Sequence, residues 1–414
     1  VGHLDLECFY CRTLGSPCPM LSLASTVMVI ICGSLLLSGC WDYKELENRA
    51  IIIGIGIDEI PPATYKGKKM RMYQLLVQVV EPTGAGGNMG GPQNIQGGGK
   101  KAYTNLVIKT PSFAEGIEQI VNRSDRIPHL AHLQLIGVGE KLAKNGINEL
   151  YDFLTRLPQM RRHTEIIVLD GDISRFFTIP SISQPAPALH MSEMAANVQR
   201  TLVMPDSNLG TVSKSVQGKI PFILVKASLN KSDEIIMDHA AVFYNFKMAG
   251  SLSSDEMQVL SLLRNEIERG FLTFPCYRGK KAGLQLLSGE SKIVPFLKKG
   301  IPHFTFQVKL ETELMEYQCL GASFSEPNAI RKAEKLYSDM MKKRIITIAN
   351  MLKNKYKTDL FRLTTRIKNY PELYLWLKND PKTFFEKMVV DVNVDFKIRT
   401  IGSSLRTPER EQSD

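Results

Sequence analysis

Cysteine is scarce in this sequence. Its 414 residues include seven cysteines, and only Cys276 and Cys319 follow Cys40. Two cysteines do not make the disulfide framework of a secreted scaffold, so we expect buried free thiols, with a Cys276–Cys319 pair as the alternative. Cys8 and Cys11 form a lone CxxC pair, which supplies too few ligands for a zinc site. The sequence therefore predicts a fold that depends neither on a disulfide framework nor on a structural zinc site.

Short motifs of common enzyme classes are also missing. Neither HExxH nor GxSxG occurs, although metalloproteases and many hydrolases depend on them. The glycine-rich stretch 84–100 has no GxGxxG, and Lys101 stands where a Walker loop needs Ser or Thr. His129 and His132 lack a third ligand. We therefore expect a binding or assembly protein without catalytic residues, metal or cofactor, and we interpret residues 84–100 as a flexible connection.

Residues 21–39 carry no charge and end in the sequence Leu-Ser-Gly-Cys. A transmembrane helix needs about 20 apolar residues, whereas a secretory signal needs a shorter apolar core followed by small residues. The ending is similar to a bacterial lipobox. We therefore expect a signal peptide over residues 1–39, cleavage between Gly39 and Cys40, and a diacylglyceryl group with palmitate-type chains on Cys40. The alternative is an uncleaved membrane anchor.

Basic residues are nearly absent before this segment, where Arg12 stands against Asp5 and Glu7. Signal peptides usually begin with a positive charge, so we interpret residues 1–19 as an upstream mis-start and Met20 as the true start. The whole chain has 52 basic and 42 acidic residues. A basic surface on a membrane-tethered protein suits an anionic lipid face, whereas nucleic acid is a partner that an exported protein rarely meets.

Strand and helix patterns alternate along the chain and predict an α+β protein of several domains, with mixed sheets packed against helices. We expect an N-terminal α/β domain over 40–205 with the glycine-rich loop 84–100, and a small middle α+β domain over 206–282. A C-terminal α+β domain would cover 283–402, followed by a disordered tail at 403–414. The boundary near residue 205 rests on the segment 204–221, which is rich in Ser, Gly and Pro and lacks periodicity.

The longest predicted helix covers residues 326–357. Seven apolar residues recur three or four apart and indicate a buried face: Ile330, Ala333, Tyr337, Met341, Ile345, Ile348 and Leu352. The same stretch carries nine basic and three acidic residues. Six of the basic residues form a candidate interaction surface for acidic lipid or a partner: Arg331, Lys332, Lys335, Lys342, Lys343 and Arg344. The alternative is a merely solvated helix face.

Four blocks of sequence, taken in order, resemble one known family. The first is "CWDYKELENRAIIIGIGID" from Cys40, and the second covers residues 121–156. The third begins at His239, and the fourth runs from the long basic helix to Gly402. The residues that carry the resemblance are Trp41, Asp42, Gly56, Asp58, Arg126, His132, Gly139, Glu140, Ala143, Gly146, Arg156, Gly250, Leu252, Asp359, Trp376, Phe384 and Gly402.

These blocks are similar to those of the Ger(x)C family, the lipoprotein C-subunits of spore germinant receptors. The resemblance implies three consecutive α+β domains without known enzymatic activity. It implies a complex with A-type and B-type integral membrane subunits at the outer face of the spore inner membrane, where small nutrients trigger germination. The alternative function is an exported solute-binding or envelope-maintenance lipoprotein. The genes beside this one would discriminate between the two.

Overall fold

The computed structural model describes residues 49–80, 102–181, 183–201, 204–267, 269–275, 279–318 and 327–401. Within these ranges the chain forms two mixed sheets and 11 helices. The predicted sites at Gly39 and Cys40, the glycine-rich loop, Cys276, Cys319 and the tail 403–414 lie outside the described residues.

A nine-stranded sheet occupies the first part of the body. Its strands follow the order β3-β2-β1-β5-β6-β7-β8-β9, and β4 also pairs with β1. Their bounds are β1 (Arg49–Tyr65), β2 (Lys68–Val80), β3 (Tyr103–Thr110), β4 (Ile127–His129), β5 (Leu135–Gly139), β6 (Glu165–Asp170), β7 (Phe222–Leu229), β8 (Ile235–Tyr244) and β9 (Lys247–Ser253). The central strands β1, β5, β6 and β7 run parallel to one another, and the outer strands are antiparallel.

Helices cover both faces of this sheet, which explains why its central strands have apolar residues on both sides. One face packs against α1 (Phe113–Val121), α2 (Glu140–Asn145), α3 (Asn148–Arg156) and α6 (Leu209–Gln217). The other packs against α4 (Ile173–Phe176), α5 (Pro187–Thr201) and α7 (Ser254–Arg264). The apolar run at 51–57 is accordingly the middle of β1, with Ile52, Ile53, Ile55 and Ile57 buried.

A four-stranded sheet follows in the order β10-β11-β12-β13. Its bounds are β10 (Gly270–Pro275), β11 (Lys281–Lys298), β12 (Ile301–Tyr317) and β13 (Val389–Thr400). Strands β12 and β13 are parallel, because the connection between them contains the long helix α8 (Pro327–Tyr356), α9 (Leu363–Arg366), α10 (Pro371–Asn379) and α11 (Pro381–Lys387). One apolar cluster joins the α7 face of the large sheet to this second sheet and α8.

The prediction of mixed sheets packed with helices is confirmed. The sequence pattern of residues 140–156 predicts a single helix, and this prediction is wrong, because the chain forms α2 and α3 there. Gly146 separates them with φ +125°, a backbone conformation that favours glycine. The N–H of Ile147 then bonds to the carbonyl of Phe246 instead of continuing the first helix.

The expectation that residues 204–221 are irregular is also wrong, because they contain α6. Asn208 caps this helix by accepting the N–H of Thr211 at 2.9 Å, and Leu209 and Val212 are buried. Strands β7 to β9, which lie inside the predicted middle domain 206–282, continue the large sheet. The three-domain division itself stays a prediction.

Candidate functional site

The basic residues of α8 were the predicted interaction surface. Tyr337, Met341, Ile345 and Leu352 of its apolar stripe are buried. Each residue turns the helix by about 100°, so five of the six basic residues fall within an arc of roughly 120° on the side away from this stripe. These five are exposed and are called the basic arc: Arg331, Lys332, Lys335, Lys342 and Lys343.

The sixth residue, Arg344, does not belong to this arc. Its Nη2 lies 2.6 Å from Asp255 Oδ1 and donates to Gln258 Oε1 at 3.1 Å, both on α7. Its side chain is only 20 % exposed. The guanidinium therefore holds α8 against α7, and we assign it a structural role. Sequence periodicity alone could not show this, because the partner helix lies 89 residues away.

The carboxylate of Asp58, at the end of the buried part of β1, caps the N-terminus of helix α2. Asp58 Oδ1 accepts the N–H of Leu142 at 3.0 Å and the N–H of Glu59 at 2.8 Å. Burial raises the pKa of Asp58, and these two backbone bonds oppose the shift. Gly139 makes the approach possible, because a Cβ there would lie 2.1 Å from Asp58 Cγ. Asp58 and Gly139, singled out by the sequence, thus form one structural contact.

The two histidines that the sequence placed close together are neighbours in space. The ring centroids of His129 and His132 are 5.6 Å apart, and Arg49 Nη1 lies 3.3 Å from His129 Nδ1. Burial and then the nearby Arg49 charge lower the pKa of His129. Among the described residues, no group of three or more His, Cys, Asp or Glu side chains could hold a metal ion.

Sequence reasoning missed an ionic cluster around the buried Arg264 at the end of α7. Arg264 donates from Nε to the carbonyl of Leu360 at 2.6 Å, and its Nη1 lies 3.6 Å from Glu266 Oε2. The other oxygen of Glu266 accepts from Arg362 Nη1. Burial lowers the pKa of Arg264 to about 10, against the pull of Glu266. Residues 254–264 resemble an ordinary amphipathic helix with a basic last turn, so no sequence signal marked Arg264.

Two protein-family models match this chain one after the other. The model described as spore germination protein N-terminal domain matches residues 42–226. The model described as spore germination B3/GerAC-like, C-terminal, matches residues 238–402. The chain belongs to the Ger(x)C family of spore germination proteins.

Two spore germination proteins of Bacillus subtilis (strain 168) are similar to this chain over nearly their whole length. Spore germination protein B3 is 24 % identical over 92 % of this chain and 98 % of its own. Spore germination protein KC is 24 % identical over 91 % of this chain and 95 % of its own. The crystal structure of the GerBC protein superposes with a TM-score of 0.55 at 19 % identity, covering 86 % of this chain and all of that one. It supports the same fold.

Asp359 and Trp376, which also carry the Ger(x)C resemblance, make contacts within the fold. Both oxygens of Asp359 accept backbone N–H groups, from Leu363 at 2.7 Å and Thr364 at 2.8 Å. Trp376 meets Phe384 edge-on, with ring centroids 5.7 Å apart. In the part of the chain that the structure describes, no helix is long and apolar enough to cross a membrane.

Proposed function

We propose that this chain is a lipid-anchored, non-catalytic subunit of a spore germinant receptor that is required for nutrient-triggered germination. The observation that supports this most strongly is the match of both family models in order, from residue 42 to residue 402. Relatives named spore germination proteins align with most of the chain. In this role the chain would act with A-type and B-type integral membrane subunits.

The anchor proposal rests on the lipobox ending at Cys40. Two acyl chains, at about 0.8 kcal/mol per buried CH₂, hold a protein firmly on a bilayer. Nine peptide units separate the Cα atoms of Cys40 and Arg49, so β1 would start within roughly 32 Å of the anchor in any conformation. The folded body would therefore stay near the outer face of the spore inner membrane.

Metabolic labelling tests the anchor directly. Radioactive palmitate should label the wild-type chain in its own spore-forming host, and Cys40→Ala should leave an unlabelled, uncleaved precursor. Cys276→Ala is the matched control and should be labelled like wild type. A labelled Cys40→Ala protein would contradict the lipid attachment.

The basic arc is the surface that we propose for contact with anionic lipid or with acidic loops of a membrane partner. Each basic residue close to an anionic surface adds about 1 kcal/mol, and the effect fades within a Debye length of about 8 Å at physiological salt. The tether keeps these weak attractions effectively intramolecular. A cluster of five exposed charges could therefore orient the anchored protein.

Vesicle binding separates this role from a solvated helix face. The form without residues 1–40 should bind phosphatidylglycerol vesicles at low salt and release at high salt. The double change Lys342→Glu and Lys343→Glu should weaken binding and flatten the salt dependence. Lys231→Glu and Lys219→Glu, two exposed sites outside the basic arc, form the matched control. Equal binding and salt slopes for the two double variants would contradict the proposal.

A further inference from the structure

A cavity lies where the α5–α6 region of the large sheet meets α7 and α9. Its volume is about 860 Å³, within the range of small-molecule sites. Its walls carry more positive than negative charge. The basic lining residues are Arg200, Lys214, Arg264, Arg269 and Arg362, and the acidic ones are Asp206 and Glu266.

Arg264 is a buried residue of the inner wall of this cavity. Its side chain is 2 % exposed, and within the described residues its Nη2 has no hydrogen-bond partner. A buried guanidinium is stable only when charges and acceptors compensate for its lost hydration. Its short hydrogen bond goes to the neutral carbonyl of Leu360, so the positive charge of Arg264 is only partly compensated.

Glu266 is the carboxylate closest to this charge, and it is shared. One of its oxygens lies 3.6 Å from Arg264 Nη1, and the other accepts from Arg362 Nη1. Arg362 Nε is likewise buried without a partner in the described part of the chain. Asp359 adds a second negative charge nearby, but its oxygens accept from Leu363 and Thr364. Two carboxylates thus face two guanidinium groups, and some of the guanidinium N–H groups have no acceptor among the described residues.

Three further cations stand at the rim, where a ligand can reach them. Arg200 is in α5, Lys214 is in α6, and Arg269 precedes β10; all three are exposed. Asp206 is the acidic residue on this side of the lining. Cations from three separate elements repel one another unless an anion lies between them. Guanidinium groups bind carboxylates and phosphates through parallel N–H···O bonds.

We propose that this cavity binds a small free oxyanion, a carboxylate or a phosphate monoester, between the rim cations Arg200, Lys214 and Arg269 and the wall residue Arg362. Arg264 adds its charge from the inner wall, and Glu266 neutralises part of the cationic surface. The inference goes beyond the receptor-subunit assignment and does not depend on it, because it concerns a pocket within this chain alone.

Calorimetric titration of the full chain in a non-ionic detergent tests the site. The probes are inorganic phosphate, succinate, and glycerophosphoglycerol as the water-soluble part of an anionic lipid, all at one ionic strength set with sodium chloride. Saturable one-to-one binding of phosphate or succinate is the expected result. No saturable binding of any probe would overturn the proposal, as would binding of glycerophosphoglycerol alone, which would make lipid the ligand.

Variants locate the bound anion. Lys214→Gln and Arg269→Gln should each weaken binding about tenfold, as expected for a charged hydrogen bond. Lys219→Gln removes the same charge close by, from a residue that does not line the cavity, and should bind like wild type. Glu266→Gln should bind more tightly, because it frees two guanidinium groups. Unchanged affinity in both rim variants, with their melting temperatures intact, would overturn the assignment.

Discussion

The carboxylate of Asp58 accepts the backbone N–H of Leu142 at 3.0 Å, although 84 residues separate the two in sequence. The bond joins the end of the buried run of β1 to the first turn of α2. It explains why an acidic residue follows seven apolar or small residues without interrupting the sheet. A buried N–H without a partner would cost about 1–3 kcal/mol, so the carboxylate stabilises the fold by accepting this N–H.

Asp58→Ala should lower the free energy of unfolding by about 1–3 kcal/mol, because the N–H groups of Leu142 and Glu59 lose their acceptor. Asp58→Asn should cost less, since its amide oxygen can still accept. Urea denaturation measures both. Asp152→Asn is the control: Asp152 is exposed on α3 and pairs with Arg156 one turn away, and such exposed pairs contribute little to stability. Equal losses for Asp58→Ala and the control would contradict the capping role.

Gly139→Ala should destabilise the protein by about 1–3 kcal/mol, the usual cost of overpacking. The added Cβ would lie 2.1 Å from Asp58 Cγ, so the carboxylate must move away from the N–H of Leu142. Gly283→Ala is the matched control, because its Cβ would meet Glu316 Cβ at an ordinary 3.5 Å. Thermal melting of both variants checks the difference, and a wild-type melting temperature for Gly139→Ala would refute the close contact.

The glycine-rich stretch should be dispensable for folding. Strands β2 and β3 pair in register as far as Val80 and Tyr103, so a short turn can join strands that already lie side by side. Loop length changes the closure free energy by only about 0.6 kcal/mol per doubling. Replacing residues 84–99 by a short turn should therefore keep the melting temperature within about 4 °C. Loss of the folding transition would show that this segment packs on the body.

Alkaline pH should destabilise the wild-type chain partly through Tyr337. Burial, and then the neighbouring Tyr317, raise the pKa of Tyr337 from 10 to about 12. Between these values the unfolded chain has lost the phenol proton and the folded chain has kept it, so the free energy of unfolding falls as pH rises. One pKa unit is worth about 1.4 kcal/mol, which bounds the whole effect near 3 kcal/mol.

Tyr337→Phe should therefore lose less stability than wild type between pH 10 and 12. The ring would still stack on Phe274, whose centroid lies 4.7 Å away, so the two proteins should unfold similarly below pH 9. Denaturation curves across this range provide the comparison. Parallel pH profiles for both proteins would show that Tyr337 does not titrate in this window.

Local patterns predicted much of the fold and little of the surface chemistry. The apolar stripe of α8 was predicted correctly because burial of one helix face leaves a periodic signal in the sequence. Helix α6 was missed because its first residues look like a loop in the sequence. Asn208 caps the helix, and small residues follow it. Arg344 was misread because its partners Asp255 and Gln258 lie on α7, far away in sequence. Arg264 was missed because the carbonyl to which it donates belongs to the equally distant Leu360. No local pattern encodes such pairings.

Germination of spores that lack this chain tests the central claim most directly. Four kinds of spores of its own host would be compared: parental spores, deletion spores, and deletion spores that again express wild type or Cys40→Ala. Each would receive amino acids, sugars and nucleosides separately. A receptor subunit predicts that deletion slows germination with at least one nutrient class, that wild type restores it, and that Cys40→Ala restores it poorly. Equal germination of deletion and parental spores with every nutrient would contradict the account.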